Sequence, residues 1–324
     1  MTDTHYEYKW QDRSVLLRVL REPVLMPLVR SLPTVITPNQ VTMFGQVVIW
    51  ASFVVAATAR PSGAVLVTVG LAYLSYCVAD CIDGLFARHT RRTSRLGELL
   101  DHGLDAISVP LVALGFGIVM QQPAWVTLSS TAAVSFLNFA TIVHGYRVGY
   151  VHLGEVGMNE GLVAGAVTLM VAAAIGVEPL TRPLVGDLSI AGLLLIGIIG
   201  GGFAALAQMR GLARRPGDFT ALLLMLSAVT LWYVFGQLSS LVTALLFICS
   251  SSYLLCRLTC ARLQHQPVPM ADWLLVSLVV VAAAASIALG LDAGQQRALA
   301  VVVFAYALIR GGAALLRAVS ALST

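Results

Sequence analysis

Residues 80–105 read DCIDGLFARHTRRTSRLGELLDHGLD, which places Asp80, Asp83, Asp101 and Asp105 within or beside two strongly apolar segments. A carboxylate at the centre of a bilayer costs roughly 2.5 to 3.5 kcal/mol on insertion scales, so carboxylates in such segments indicate a function. On helices, the i,i+3 spacing of the first pair and the i,i+4 spacing of the second direct each pair to one face. Packing of the two helices would bring the four carboxylates into one cluster.

Such a cluster needs protons or cations to offset the repulsion between like charges. Hard divalent cations such as Mg²⁺ and Mn²⁺ prefer carboxylate oxygen ligands, and Mg²⁺ commonly keeps positions open for water or phosphate oxygens. The four aspartates therefore predict a Mg²⁺ or Mn²⁺ site that binds a phosphate-containing ligand.

The residues between the carboxylates support this interpretation. Gly84 and Ala87 leave little side-chain volume near Asp83. Gly97 does the same on the second helix, one turn before Asp101. Arg88, one turn beyond Gly84, can offer a forked donor to phosphate oxygens. These residues predict a surface against which a phosphorylated ligand can lie.

The full pattern is D-x-x-D-G-x-x-A-R, eight residues, then G-x-x-x-D-x-x-x-D. It resembles, without departure, the signature of the CDP-alcohol phosphatidyltransferase family, membrane enzymes that transfer a phospho-alcohol or phosphatidyl group from a CDP-activated donor. The resemblance implies that Asp80, Asp83 and Asp101 bind metal. It also implies that Asp105 takes the proton of the attacking hydroxyl group while contacting a second metal ion.

The resemblance further implies where the CDP-alcohol binds. The cytidine diphosphate is expected to lie against Gly84, Ala87 and Arg88. Family members carry a similar P-N-x-x-T just before the first span, close to the nucleotide, and Asn39 and Thr42 occupy its polar positions here. A helix start alone also explains this segment, because Pro suits the first turn and polar side chains cap the open amides.

Composition sets the class of protein. The chain has 324 residues, of which 58% are hydrophobic and 11% charged, and its mean hydropathy is +0.85. These values predict a polytopic membrane protein rather than a soluble domain. The polar start argues against a cleavable signal peptide, and the five cysteines lack zinc-type spacing. With a net charge of only +4, we expect no nucleic-acid partner.

Apolar windows long enough to span a bilayer number about ten, and they predict an all-α polytopic membrane helical bundle. The windows are 40–57, 63–87, 98–120, 123–145, 159–177, 187–209, 218–236, 239–259, 271–290 and 296–317.

A segment rich in Arg and Leu precedes the bundle. Residues 14–31 alternate arginines with apolar side chains and predict an amphipathic helix on the membrane surface, although a short packed cytosolic helix fits equally well. We expect residues 1–36 to form a cytosolic N-terminus with this interfacial helix, and residues 37–324 to form a single transmembrane catalytic domain.

The distribution of basic residues predicts the orientation. With the N-terminus in the cytosol, only Arg60, Arg182 and Arg297 of the 20 Lys and Arg residues fall on the opposite side. An even number of spans puts both termini and the carboxylate cluster on the cytosolic side. A CDP-alcohol would then enter from the cytosol and a lipid acceptor from the bilayer.

The linker after the fourth span resembles that of eukaryotic-type choline and ethanolamine phosphotransferases. Tyr146, Gly149, Glu160 and Gly161 match their Tyr, Gly and Glu-Gly run. The resemblance makes Glu160 a second catalytic candidate. Where those relatives tend to have a His after the Tyr, this chain has Arg147; if that His handles the acceptor's proton, the acceptor or its activation differs here.

The preferred interpretation is transfer of a phospho-alcohol head group from CDP-choline or CDP-ethanolamine to a lipid hydroxyl such as that of diacylglycerol, with release of CMP. The alternative within the family is phosphatidyl transfer from CDP-diacylglycerol to inositol or glycerol phosphate. Intramembrane prenyltransferases use paired DxxD-type motifs but lack the G-x-x-A-R element, and a transporter would scatter its carboxylates along a path. Relatives are often homodimers, so we expect a homodimer here.

Overall fold

The computed structural model describes residues 10–12, 14–148, 151–153, 157–208, 216–264, 266–267 and 271–323. In these residues the chain is almost entirely helical. The main helices, in chain order, are α1 (Val15–Leu20), α2 (Met26–Ser31), α3 (Pro38–Thr58), α4 (Gly63–His89), α5 (Arg95–Val119), α6 (Ala124–Val148), α7 (Met158–Ile175), α8 (Glu178–Thr181), α9 (Ile190–Gln208), α10 (Thr220–Gly236), α11 (Ser240–Leu263), α12 (Trp273–Leu289) and α13 (Ala293–Ser323).

Four short strands accompany the helices in the residues that the structure describes. Strands β1 (Trp10–Asp12) and β2 (Val151–Leu153) pair in parallel, and β3 (Pro183–Val185) and β4 (Leu188–Ser189) pair in antiparallel. A π-helical turn, Arg21–Leu25, joins α1 to α2.

Each predicted apolar window coincides with a helix. In the described part of the chain, nine helices are long and apolar enough to cross a membrane, and α12, with 17 residues, is the shorter tenth. A helix of 17 residues has about the minimum length for a membrane span, since each residue adds only about 1.5 Å to the helix. The prediction of an all-α polytopic membrane bundle is confirmed.

Local sequence explains where the helices near the carboxylates begin. Thr37 and Gln40 form a capping box at the start of α3, and Pro38 occupies its first turn, so the predicted helix start is confirmed. Ser94 caps α5 by accepting a hydrogen bond from the Gly97 amide at 3.0 Å. The connection from α4 to α5 is only five residues long, 90–94, so the two signature pairs return to the same end of the bundle.

The two largest hydrophobic clusters of the described residues form most of the core of the bundle. One is formed mainly by α3, α4, α5 and α7, and includes Ile49, Tyr73 and Leu169. The other joins α5 and α6 to the C-terminal helices, and its largest fully buried side chain is Trp232. Helix α3 packs against both α4 and α5, which gives it access to both pairs of aspartates.

The N-terminal segment lies on α4. Leu25 and Val29 are buried against Ile82 and Phe86, whereas Val19 is 62% exposed. The segment therefore packs on the bundle with one face and leaves an apolar surface uncovered. Its contact with a membrane surface, and the division of the chain at residue 36, stay predictions.

Candidate active site

The four signature aspartates line two adjoining cavities. Asp80, Asp101 and Asp105 line a larger cavity of about 250 Å³. Asp83 and Asp101 line a smaller cavity of about 70 Å³. Asp101 borders both, so the two helix ends bring the four carboxylates to neighbouring cavities; the predicted metal site of all four aspartates stays a prediction.

The donor atoms fit a divalent cation. Asp101, His102 and Asp105 each offer a ligand atom, and these atoms all lie within 4.8 Å of one another. Carboxylate oxygens are the ligands that Mg²⁺ and Mn²⁺ prefer, and imidazole nitrogen also suits transition metals. The arrangement can therefore hold a metal ion.

Asp83 is oriented by α3. Its Oδ2 accepts a hydrogen bond from the Thr42 hydroxyl group at 2.6 Å, and its Oδ1 accepts one from the Gly84 amide. The carboxylate is only 5% exposed. Thr42, predicted to contact the nucleotide, thus also holds a signature carboxylate in place.

Asp105 accepts hydrogen bonds from side chains of three other helices, α3, α4 and α6. Its Oδ1 accepts hydrogen bonds from the Tyr76 hydroxyl group at 2.6 Å and from Gln46 Nε2 at 2.8 Å. The backbone carbonyl of Asp105 accepts a third, from Asn138 on α6 at 3.2 Å. The proposed base therefore has a fixed orientation within the packed helices.

Every residue that the sequence predicted for substrate binding lines the smaller cavity. These residues are Asn39, Thr42, Gly84, Ala87, Arg88 and Gly97. The structure thus brings the start of α3, the end of α4 and the start of α5 around one space that the signature residues Asp83 and Asp101 also line.

The glycines of this cavity lie close to polar side chains of the protein. A Cβ atom at Gly84 would lie 3.3 Å from Arg88 Nη1, and one at Gly97 would lie 3.2 Å from Asn39 Oδ1. Because neither glycine has a side chain, the guanidinium group and the amide can lie close to the helix backbones. The bare helices therefore accommodate polar groups of the protein as well as leaving space for a ligand.

The larger cavity is mostly apolar. Val109, Phe116, Leu137 and Ile198 are among its lining residues, which come mainly from α5, α6, α7 and α9. It follows α5 from Asp101 to Phe116, a distance of about 22 Å at 1.5 Å per residue. Its carboxylates lie at one end of this stretch, and the remainder offers a surface suited to acyl chains.

Glu160 also lines the larger cavity, where it connects α7 to the N-terminal segment. Its Oε1 accepts hydrogen bonds from the Ser14 hydroxyl group at 2.6 Å and the Leu16 amide at 3.1 Å. Its Oε2 accepts one from the Gly157 amide at 2.8 Å. The carboxylate thereby fixes the start of α1 at the rim of the cavity, and its predicted catalytic role stays a prediction.

Arg147 forms an ion pair with Asp218 and lines neither of the two cavities. Its Nε and Nη2 donate to the two carboxylate oxygens of Asp218, at 2.9 and 2.6 Å. This bidentate pair joins the end of α6 to the segment before α10. Of the other linker residues singled out by the resemblance, Gly149 lies outside the described residues.

Sequence reasoning missed several residues of the site. His102 lies between the two aspartates of the second pair, where its position alone could have identified it. Gln46 follows Thr42 by one helical turn on an apolar helix, which is a recognisable signal. Tyr76 gave no such signal, because a tyrosine in an apolar span is commonly a packing residue.

Comparison with known proteins gives a family match over half of the chain. The family model described as CDP-alcohol phosphatidyltransferase matches residues 35–200, which include the two signature pairs.

Among individual proteins, the chain is similar to "Cholinephosphotransferase 1" of Danio rerio, with 31% identity over 185 residues, 54% of this chain and 48% of that protein. It is 33% identical to "Cholinephosphotransferase 1" of Gallus gallus over 174 residues, 49% of this chain and 51% of that protein. It is 31% identical to "Choline/ethanolaminephosphotransferase 1" of Arabidopsis thaliana over 118 residues, 35% of this chain and 30% of that protein. The chain spans at most about half the length of these relatives. Together with the family match, the site geometry leads to one conclusion: this chain belongs to the CDP-alcohol phosphatidyltransferase family.

Proposed function

We propose that this protein transfers a phosphocholine-type or phosphoethanolamine-type head group from a CDP-alcohol to the hydroxyl group of a lipid such as diacylglycerol, with release of CMP. One observation carries the proposal: Asp101 borders both a small cavity lined mainly by polar and charged residues and a larger cavity lined mainly by apolar residues. A water-soluble donor and a lipid acceptor need such a pair of spaces on the two sides of one reacting centre. The names of the similar proteins agree with this substrate class.

The small cavity is assigned to the donor. Arg88 is positioned to bind the diphosphate, because its planar guanidinium group can donate two parallel hydrogen bonds to phosphate oxygens. Asn39 adds an amide at the opposite wall, from the start of α3. The 70 Å³ cavity is small for a whole nucleotide, so the cytidine is expected to extend towards solvent.

The metal is assigned to the four aspartates, Asp80, Asp83, Asp101 and Asp105, as Mg²⁺ or Mn²⁺. When bound, it would neutralise diphosphate charge and make the phosphorus more electrophilic. Thr42 and Gly84 hold the Asp83 carboxylate through hydrogen bonds.

The reaction then follows from the positions of the side chains. The acceptor hydroxyl group approaches through the larger cavity, and the Asp105 carboxylate takes its proton while the oxygen forms a bond to the head-group phosphorus. The bond between that phosphorus and the bridging oxygen breaks, and the bridging oxygen leaves as part of CMP. Arg88 offsets the negative charge on the departing phosphate.

An assay of substrate pairs tests the proposal. Purified protein in detergent with Mg²⁺ would receive CDP-choline or CDP-ethanolamine with diacylglycerol in one arm. The other arm would supply CDP-diacylglycerol with inositol or glycerol phosphate. We expect CMP release in the first arm and little in the second. CMP release confined to the second arm would establish the alternative reaction, phosphatidyl transfer.

Replacing Arg88 with Lys is expected to weaken donor binding. Lys keeps the positive charge but loses the forked geometry, so the KM for CDP-alcohol should rise about tenfold, the equivalent of about 1.4 kcal/mol. Arg91 provides the matched control, because it is an exposed arginine of the same basic loop and does not line the small cavity. Initial rates over a range of CDP-alcohol concentrations would measure the effect. Equal KM values for Arg88→Lys and Arg91→Lys would contradict the assignment of Arg88.

The protein is integral to the membrane, and we place its active site and both termini on the cytosolic side. The positive-inside distribution supports this orientation, since only Arg60, Arg182 and Arg297 fall on the other face. Labelling of single cysteines introduced at Ser94 and Ser62 in sealed membranes would test it, because these residues begin α5 and α4 at opposite faces.

A homodimer, expected from the family resemblance, would be tested by measuring the mass of the detergent-solubilised protein.

A further inference from the structure

A hydrogen-bond chain from the interior of the bundle ends on Asp105. The two donors to Asp105 Oδ1, Gln46 and Tyr76, are each only 1% exposed. Neither lines either cavity, whereas Asp105 lines the larger one. The donors therefore reach the carboxylate from within the packed helices. Within the described part of the chain, both of its side-chain hydrogen bonds use Oδ1, which leaves Oδ2 for a group in the cavity.

The orientation of the Gln46 amide is set by two further residues. Trp50 Nε1 donates to Ser108 Oγ at 2.8 Å, and an indole nitrogen can only donate. The Ser108 hydroxyl hydrogen is thereby directed to Gln46 Oε1, with which it makes a short hydrogen bond. Since the carbonyl oxygen of Gln46 is used in this way, its NH₂ group faces Asp105. A flipped amide would instead place one oxygen against another.

Part of this hydrogen-bond chain lies on one face of α3. Thr42, Gln46 and Trp50 follow one another at intervals of four residues, so they project from the same side of the helix. Thr42 bonds the Asp83 carboxylate, and Gln46 bonds that of Asp105. A single helix thus orients one signature aspartate on α4 and one on α5.

We propose that Gln46, supported by Trp50 and Ser108, is a positioning residue that holds Asp105 with its Oδ2 directed at the acceptor's hydroxyl group. This inference rests on the proposed function, in which Asp105 takes the proton. An unrestrained carboxylate rotates broadly about its last torsion. Displacement of a reacting group by about 1 Å can cost about 100-fold in rate. The hydrogen bonds from Gln46 and Tyr76 to Oδ1 restrict this rotation of the Asp105 carboxylate.

The C-terminal half of the chain offers a matched control for Gln46. Gln296 is also buried, at 4% exposure. Its Oε1 accepts a hydrogen bond from the indole of Trp232 at 3.2 Å, and its Nε2 donates to the Leu291 carbonyl at 2.8 Å. It lines neither cavity. Gln46→Leu and Gln296→Leu therefore remove the same kind of buried amide, one beside Asp105 and one remote from it.

The experiment compares the two variants with the wild type in the CMP-release assay. Gln46→Leu is expected to lower kcat about 10- to 100-fold, the usual cost of losing a residue that orients an active-site ligand. Its KM for CDP-alcohol should stay within about twofold, because uniform substrate binding is not affected. Calorimetric titration with CDP-alcohol in the presence of Mg²⁺ should give an unchanged Kd. Gln296→Leu should lose thermal stability but keep the wild-type kcat.

Three outcomes would overturn the inference. Equal kcat values for the two leucine variants, with an active wild type, would show that the amide has only a structural role. A raised KM with unchanged kcat would place Gln46 in substrate binding instead. Absence of CMP release by the wild type with every CDP-alcohol would overturn the proposed function and this inference with it. If Gln46→Leu fails to fold, Ser108→Ala removes only the hydroxyl group that orients the amide and should lower kcat in the same way.

Discussion

Replacing Asp105 with Asn is expected to abolish CMP release while leaving the fold intact. General base catalysis commonly contributes about 100- to 10,000-fold to a rate, and an amide cannot take the acceptor's proton. The substitution is isosteric, and the Asn carbonyl oxygen can still accept the hydrogen bonds that Tyr76 and Gln46 donate to Oδ1. Steady-state CMP release and thermal unfolding in detergent would measure the two parts of this prediction.

Asp272→Asn is a suitable control for this experiment. Asp272 is a buried carboxylate that accepts hydrogen bonds from Tyr253 and Tyr306 and pairs with Arg257 at 3.1 Å. Losing that ion pair should lower the thermal stability more than Asp105→Asn does, without a comparable loss of turnover. Near-normal turnover by Asp105→Asn would remove Asp105 from the mechanism.

Removing divalent metal is expected to stop the reaction and to destabilise the protein. The metal supplies several kcal/mol of charge stabilisation, and about 1.4 kcal/mol changes a rate tenfold, so a loss of about 1,000-fold is expected. Without a cation, the repulsion among Asp80, Asp83, Asp101 and Asp105 is no longer offset. Addition of Mg²⁺ or Mn²⁺ should therefore raise the Tm as well as restore turnover, since a ligand that binds only the folded state stabilises it.

The measurement pairs activity with thermal unfolding after treatment with a chelator, with residual metal determined by elemental analysis. In Asp101→Asn the rise in Tm on adding metal should be strongly reduced. Asp187→Asn, an exposed aspartate in the turn between β3 and β4, should keep the full rise. Turnover at full speed in protein shown to be free of metal would contradict the assignment of the aspartates.

Much of the fold and part of the site could be predicted because their signals are local in the sequence. The apolar windows marked the ten helices of 17 or more residues in the described part of the chain, since spanning length and composition suffice to identify them. The carboxylates of Asp101 and Asp105 share a face because their spacing matches the helical repeat. The short connection then brings them back beside Asp80 and Asp83.

The contacts around those aspartates depend on how distant helices pack, and sequence spacing alone does not determine that. Gln46 meets Asp105 only because α3 lies against both α4 and α5. The bond from Ser14 to Glu160 joins residues 146 positions apart. Likewise, the Arg147 side chain could not be assigned to Asp218 without knowing where the segment before α10 lies.

The position of Asp101 between the two cavities has a consequence for the release of products. Under the proposed function, the two cavities would reach this side chain separately, so the nucleotide product would depart into water while the finished lipid diffuses sideways. Neither product would obstruct the other's exit, and no reactant would have to cross the bilayer. Under the proposed function, each lipid molecule would be completed in the leaflet where its acceptor already resides.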